Sequence, residues 1–535
     1  MWRRNLLFLC LIGGGVFALG AGLMPPRQPR PLTRFDASAY QAPDFAAVVQ
    51  RVDVSFRHVW SEEKLRLAPA APDLIVARRL ALELMGTIPS LEEIRQLEYL
   101  PEDQRLPWWI DHILQDRRFA DSFAERFARA FVGTEEGPFI LYRRRRFVDW
   151  LAQQLAKNRS YDQMVRDLIV SEGLWTDRPA TNFVSVTVQP DNKNQPDPVR
   201  LAGRVTRAFL GLRLDCAQCH NHPYAEWKQA DFQGLSAFFG QTRLGFTGIH
   251  DGSGEYQVKD RKTQETSVVA PRVPFADELL PVGGSRRWQL ACWVTHPKNP
   301  YFARAAVNRV WALMLGRPLV EPVDNLESDT SAPPALDLLA DDFVEHGFDL
   351  RRLLRVIACT EVFRLDSATE HDSGETEEKA WAVFPLTRLR PDQVVGGILQ
   401  ASSAATLSAE SHILFRIARF GQRNDFVKRY GDSGEDEFDG RGGTIPQRLL
   451  MMNGSLLHEK IKDSPLNAST QIGWMAADDA RAVEAAYLSV LTRRPTAEEA
   501  EYFQRFLADS KLKRAQRLED IFWTLINSTE FSWNH

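Results

Sequence analysis

Cysteine is scarce in this chain. There are five in 535 residues, and one of them, Cys10, lies inside an apolar N-terminal run. So few exclude a disulfide-stapled scaffold, so stability has to come from buried cores. Neither sign of charge dominates: 66 Lys and Arg face 70 Asp and Glu, for a formal net charge of -4. Bulk charge therefore argues neither for nucleic acid nor for a strongly acidic partner, and no nucleic acid is expected for an exported protein. No internal repeat is visible, so a solenoid is not indicated. Methionine is also thin at eight residues. What remains is an ordinary soluble composition on a chain long enough for two to four domains.

The N-terminus departs from that composition. Arg3 and Arg4 precede an apolar run from Leu6 to Met24, followed by a Pro- and Arg-rich exit. The pattern is that of a signal peptide or an uncleaved single membrane anchor over residues 1–24, leading into a linker over 25–44. The paired arginines would hold the N-terminus inside and send the rest outward. The expected location is thus exported: periplasm or cell envelope, secreted or anchored by this segment.

From residue 45 the apolar period is helical. Leu74, Ala77, Leu80, Ala81 and Leu84 share one face, as do Trp109, Ile113, Phe119, Phe123, Phe127 and Phe131. Ser90 with Glu93, and Thr496 with Glu499, have the spacing of capping boxes. Residues 176–199 read as a long loop with one short strand. Leu201, Val205, Phe209 and Leu212 predict a helix running up to Cys216. Residues 241–284 are Gly-, Thr- and Val-rich and predict a small β-hairpin excursion. The fold class expected is mainly α: a helical domain over 45–240, the linking excursion over 241–284 and a second helical domain over 285–535.

The chemistry concentrates in DCAQCHNHPYAEW, residues 215–227. Cys216, Cys219 and His220 have the spacing of a c-type haem attachment site: two thiols three residues apart for thioethers, and an imidazole directly after for the iron. A sixth iron ligand is not evident, because the next methionine is Met314. His58, His112, Met85 and Met164 are candidates from further away. The same atoms admit a second reading, in which two thiolates and an imidazole hold zinc or iron, with His222 and Glu226 as further possible ligands. A Cys216–Cys219 disulfide is the third. Cys292 and Cys359 sit in apolar helical surroundings and read as buried free thiols.

Other motifs carry less. GDSG at 431–434 lacks the context of a serine-protease nucleophile and reads as a solvated turn. Arg143–Arg146 is a basic run suited to an acidic glycan or lipid headgroup, or simply a solvated helix start pairing with Glu135 and Glu136. The adjacent carboxylates Glu92/Glu93 and Asp341/Asp342 point in different directions on their helices, so neither makes a glycosidase acid pair. No catalytic residue is assigned.

RVTRAFLGLRLDCAQCHNHPYAEWKQADFQGLSAFFG resembles the signature of the planctomycete-specific cytochrome-C-like domain of unknown function. RRLALELMGTIPSLEEI, NRSYDQMVRDLI and PATNF resemble its upstream blocks. NPYFARAAVNRVWALMLGRPLVEPVDNL, LLADDFVEHGFDLRRLLRVI, GTIPQRLLMMNG and LINSTEFSWNH resemble the partner domain of unknown function that follows it. The likeness covers about residues 45 to 535. It implies an exported protein, often encoded beside a sulfatase-like protein, and supplies no catalytic set. A redox partner, a sulfatase-like partner and an acidic polysaccharide are the partners it leaves open. One departure stands out: where relatives carry Ser-His-Pro, this chain has SAPPALDLLA around Ala332 to Ala335, so any role for that histidine is absent. The function expected is electron transfer through haem c. The alternative is a non-redox envelope scaffold whose motif holds a metal ion or a disulfide.

Overall fold

Apolar residues three and four apart account for most of the architecture. In α1 (Pro43–Glu62), Phe45, Val48, Val52, Phe56 and Trp60 are buried, and Pro43 occupies the first turn, where its missing N–H costs nothing. The computed structural model describes residue 14 and residues 35–535 except 135–140, 189–193, 222–225, 260–263, 328–331, 370–373, 409–412, 432–437, 439–442 and 510–512; the side chains of residues 413–420 and 424 are also outside the description. Apart from residue 14, the expected signal or anchor segment therefore lies outside the described residues, as do Glu135, Glu136 and most of the GDSG loop. Among the described residues no helix is long and apolar enough to cross a membrane.

The longer helices of the first half are α2 (Asp73–Leu80), α3 (Leu91–Tyr99), α4 (Glu102–Gln115), α5 (Arg117–Val132), α6 (Arg144–Ala156), α7 (Tyr161–Val170), α8 (Pro198–Val205) and α9 (Gln229–Ala237). Two short antiparallel hairpins follow, β1 (Thr242–Gly245) with β2 (Gly248–Asp251), and β3 (Gln257–Lys259) with β4 (Thr266–Val268). Then come α10 (Arg286–Val294), α11 (Phe302–Leu315), α12 (Pro334–Glu345) and α13 (Leu350–Cys359). The last part holds α14 (Pro391–Ala401), α15 (Ile413–Tyr430), α16 (Ile445–Asn453), α17 (Ala468–Met475), α18 (Asp479–Leu491), α19 (Ala497–Ala508) and α20 (Arg514–Ile526). The chain is about 61% helical, with only small two-stranded sheets, so the mainly-α class holds.

Three local expectations need adjusting. The aromatic face over 109–131 belongs to two helices, because Asp116 ends α4 and caps α5 by accepting the Arg118 N–H at 2.7 Å. The strand expected within 176–199 is absent among the described residues. Asn182–Ser185 is a helical turn, held by Asn182, whose side-chain amide donates to Trp175 O and Pro179 O and whose oxygen accepts from the Arg143 N–H. The helix before the cysteines stops early: α8 passes into a wider turn over Thr206–Leu210, and Gly211, at φ +60°, ends it. A side chain there would adopt the left-handed region and press within 3.0 Å of Leu326.

The interior is organised differently from the chain's outline. One hydrophobic core runs from Phe45 to Phe384 without a seam at 284. Tyr161 of α7 stacks on Phe302 of α11 at 5.4 Å and approaches Phe343 of α12 at 6.1 Å. A second core takes Leu389 to Phe531 together with Leu82 and Ile88 from the first half. Two consecutive buried arginines bind distant parts of the chain together. Arg78 donates to Val490 O and Phe531 O, and Arg79 donates to Phe363 O, Leu365 O and His535 O while lying 3.6 Å over the Phe384 ring.

Candidate functional site

Residues Leu214–Gln218 form a single 3₁₀ turn. Three residues per turn means that side chains at i and i+3 eclipse, and the burial pattern follows that period. Leu214 and Ala217 face the core, at 1% and 0% exposure. Asp215 and Gln218 line a neighbouring cleft. Cys216 and Cys219, the latter at the end of the turn, are both exposed, and neither is in a disulfide. The structure thus brings the two motif cysteines to one outward side. His220 follows, also exposed.

The imidazole of His220 is oriented by its own backbone neighbour. Its Nδ1 lies 2.6 Å from Asn221 O. A carbonyl oxygen only accepts, so in the neutral ring Nδ1 is the donor and the Nε2 lone pair is left for a ligand. Imidazoles that ligate metals are commonly held this way. The first residue of α9 clamps the same segment: the Gln229 N–H donates to Asn221 Oδ1 at 3.0 Å, and Gln229 Nε2 donates to Gln218 O at 3.1 Å.

The turn is also anchored from behind. Gly203 of α8 lets Asp215 come close, since a Cβ there would sit 2.5 Å from Asp215 Oδ1. Arg207 pairs with Asp215 and reaches Asp324 at 3.8 Å, and Arg213 grips Asp324 at 2.6 Å. Trp227 donates to Glu327 at 2.8 Å, as does the Tyr301 hydroxyl at 2.7 Å. Burial and the accepting Glu327 together push the Tyr301 phenol up.

The other expected ligands fall less neatly. His222 lies outside the described residues, and Glu226 is exposed. Among the described residues, Cys216, Cys219, His220 and Glu226 do not form a cluster of three donors around one point. Such a cluster does exist at Glu93, His112 and Asp116. It is already served by a cation, because Arg118 pairs with Glu93 and, at 2.8 Å, with Asp116. Burial works against ionising Glu93, but Arg118 and His112 outweigh it and hold the carboxyl well below the usual carboxylate range.

The remote candidates for a sixth iron ligand are engaged elsewhere. His58 faces Glu62 at 3.4 Å, His112 faces Glu93 at 3.3 Å, and Met85 and Met164 are packed in the first core. None of them lines the cleft beside the turn. Cys292 and Cys359 are free thiols, and burial pushes Cys359 up to about 12. Of the basic run, Arg144 pairs with Glu125 at 2.8 Å. Glu92 accepts from Thr406, while Asp342 pairs with Arg352, so neither carboxylate pair makes an acid–base couple.

The cleft itself was not anticipated. Its volume is about 700 Å³, and it is walled by arginines from several elements. Part of it was written in the sequence: Arg200, Arg204 and Arg207 recur at i, i+4 and i+7, one face of a helix.

The haem reading can be tested against these residues. The two thiols are exposed, three residues apart and in no disulfide, and the His220 imidazole turns Nδ1 to Asn221 O and leaves Nε2 for a ligand, so the donor set fits attachment and proximal ligation. Comparison with known proteins gives families but no activity. Residues 51–244 match PSCyt2, a protein of unknown function (DUF1549), and residues 286–414 match PSD1, a protein of unknown function (DUF1553). No curated protein and no solved structure matches the chain. The chain thus belongs to the proteins that carry a DUF1549 domain followed by a DUF1553 domain, the usual planctomycete pair of unknown function.

Proposed function

We propose that this protein is an exported component of the cell envelope that carries haem c on Cys216 and Cys219, with His220 as proximal ligand, and works in electron transfer. The observation that carries the reading is the phase of the 3₁₀ turn: two exposed cysteines three residues apart and outside any disulfide, followed by an imidazole whose Nδ1 faces Asn221 O. Cys216 and Cys219 would hold the group by thioethers, and the Gln229 clamp would keep the ligand segment from swinging. Bound haem would supply a one-electron iron couple. Export rests on Arg3, Arg4 and the run from Leu6 to Met24.

The test is a pyridine haemochrome spectrum on protein exported from cells with haem-c maturation machinery, beside a Cys216→Ala, Cys219→Ala control. The expected result is a thioether-type α-band present in the first sample and absent from the second. A folded, haem-free product would overturn the electron-transfer reading. The exposure of both thiols favours one alternative specifically: a scaffold whose turn closes on a Cys216–Cys219 disulfide in an oxidising compartment. Thiol counting on the same sample separates the two.

A further inference from the structure

We infer that the cleft between α1, α2, α4 and the end of α13 is a binding site for an amphipathic amine, an organic molecule with an apolar body and one ammonium head. The volume of this cleft is about 1140 Å³, ample for a ligand of a few rings or a medium-length alkyl chain. Its walls are mostly apolar: Val49 of α1, Leu67 of the strap before α2, Val76 of α2, Leu97 of α3, and Leu106 and Trp109 of α4. Ala46 and Ala77 line it too, and their short side chains leave the space open.

Most charged groups around this space are spent on each other. Arg57 pairs with Glu361 at 2.6 Å, and Arg105 with Asp73 at 2.8 Å. Asp53 is different. It lines the cleft at 7% exposure, and its Oδ1 accepts the Glu361 N–H at 2.7 Å. Among the described residues it makes no ion pair. Burial raises its carboxyl above the ordinary value; Arg57 and Arg364 pull the other way and do not outweigh it. Arg57 is committed to Glu361, and Arg364 is exposed to water. Cys359 lines the same cleft, and burial raises its thiol as well, so this end is poorly solvated.

A carboxylate so placed is stabilised by a cation brought to it. An ammonium supplies the charge and three N–H donors. A carboxylate head would instead meet Asp53 and Glu361 as like charges. A bare metal ion would find too few oxygen donors among these apolar walls. The walls favour an apolar body behind the head, because its burial removes hydrocarbon from water.

The inference stands apart from the haem reading. Calorimetric titration of the exported protein at neutral pH with octylammonium, octanol and octanoate tests it, since the three share a chain and differ in the head. Octylammonium is expected to bind saturably and about tenfold tighter than octanol, equivalent to 1.4 kcal/mol, with octanoate weakest. Asp53→Asn keeps an oxygen for the Glu361 N–H and should bring octylammonium down to the affinity of octanol. Ala46→Trp fills the cleft from an exposed position on α1 and should weaken octylammonium and octanol together. No saturable binding of octylammonium, equal affinity for octanoate, or a head preference that survives Asp53→Asn overturns the inference. Should Asp53→Asn fail to fold, Ala46→Trp decides: an unchanged octylammonium affinity there puts the binding elsewhere and overturns it too.

Discussion

Replacing Gly203 by alanine sets two effects of opposite sign against each other next to the cysteine turn. A glycine inside a helix costs about 0.5–1 kcal/mol relative to alanine, so in an uncrowded α8 the change would stabilise the protein by that amount. Here the new Cβ would lie 2.5 Å from Asp215 Oδ1 and 3.5 Å from its Cγ. The carboxylate is not a loose end, because Arg207 holds it. Relief requires Asp215 to leave Arg207 or the turn to move off the helix. Overpacking of this kind costs about 1–3 kcal/mol, which outweighs the helix term and leaves a net loss of about 1 kcal/mol. Urea unfolding measures the sum. The displacement of the turn is read separately, as a change in the relative alkylation rates of Cys216 and Cys219 followed by mass spectrometry. A stabilised G203A protein with unchanged alkylation would refute the close approach of the turn to α8.

Two further outcomes follow from the buried charges. Asp392 meets Arg126 at 3.0 Å; burial opposes its ionisation, but Arg126, Arg390 and Arg423 outweigh that and hold its carboxyl well below the usual range, as Arg118 and His112 do for Glu93. Folded values lowered in this way give stability that is present above the unfolded carboxylate pKa and lost as pH falls through the folded one, so the urea midpoint should drop between about pH 5 and pH 2. Asp392→Asn should flatten that drop, and a wild-type midpoint independent of pH below 5 would contradict the assignment. Arg79→Ala strands three carbonyl acceptors, at Phe363, Leu365 and His535, and should cost about 3–5 kcal/mol. Its signature is faster hydrogen exchange over residues 530–535, and a loss below about 1 kcal/mol would show that water replaces the guanidinium.

Much of the fold was legible because its causes are local. The capping boxes at Ser90/Glu93 and Thr496/Glu499 close as their spacing predicts, and the hairpins appear where Gly, Thr and Val replace helical periodicity. Expectations failed where local signals were in phase or were overruled. The aromatic period of α5 continues that of α4 across the break, so Asp116 was invisible to a periodicity argument although it is a good N-cap. NFVSV has the composition of a strand, but Asn182 bonds to Arg143, Trp175 and Pro179 and the segment is held as a helical turn. Gly211 was a readable stop signal between two leucines that kept the apolar phase.

The site divides along the same line, and the division bears on why the two families occur in one chain. The spacing of Cys216, Cys219 and His220 is a local fact and was read directly. What surrounds them is not local. Arg309, Glu321 and Asp324 of the cleft belong to the segment matched by DUF1553, whereas Cys216 and Asp215 belong to the segment matched by DUF1549. The Leu326 N–H donates to Gly211 O at 2.8 Å, at the glycine that frees the turn from α8, and Glu327 holds Trp227 on the far side of it. The first core runs through both segments, so neither buries its own apolar faces alone. The cysteine turn is therefore a motif of the first segment in a setting that the second segment builds, and the packing itself ties the two segments together.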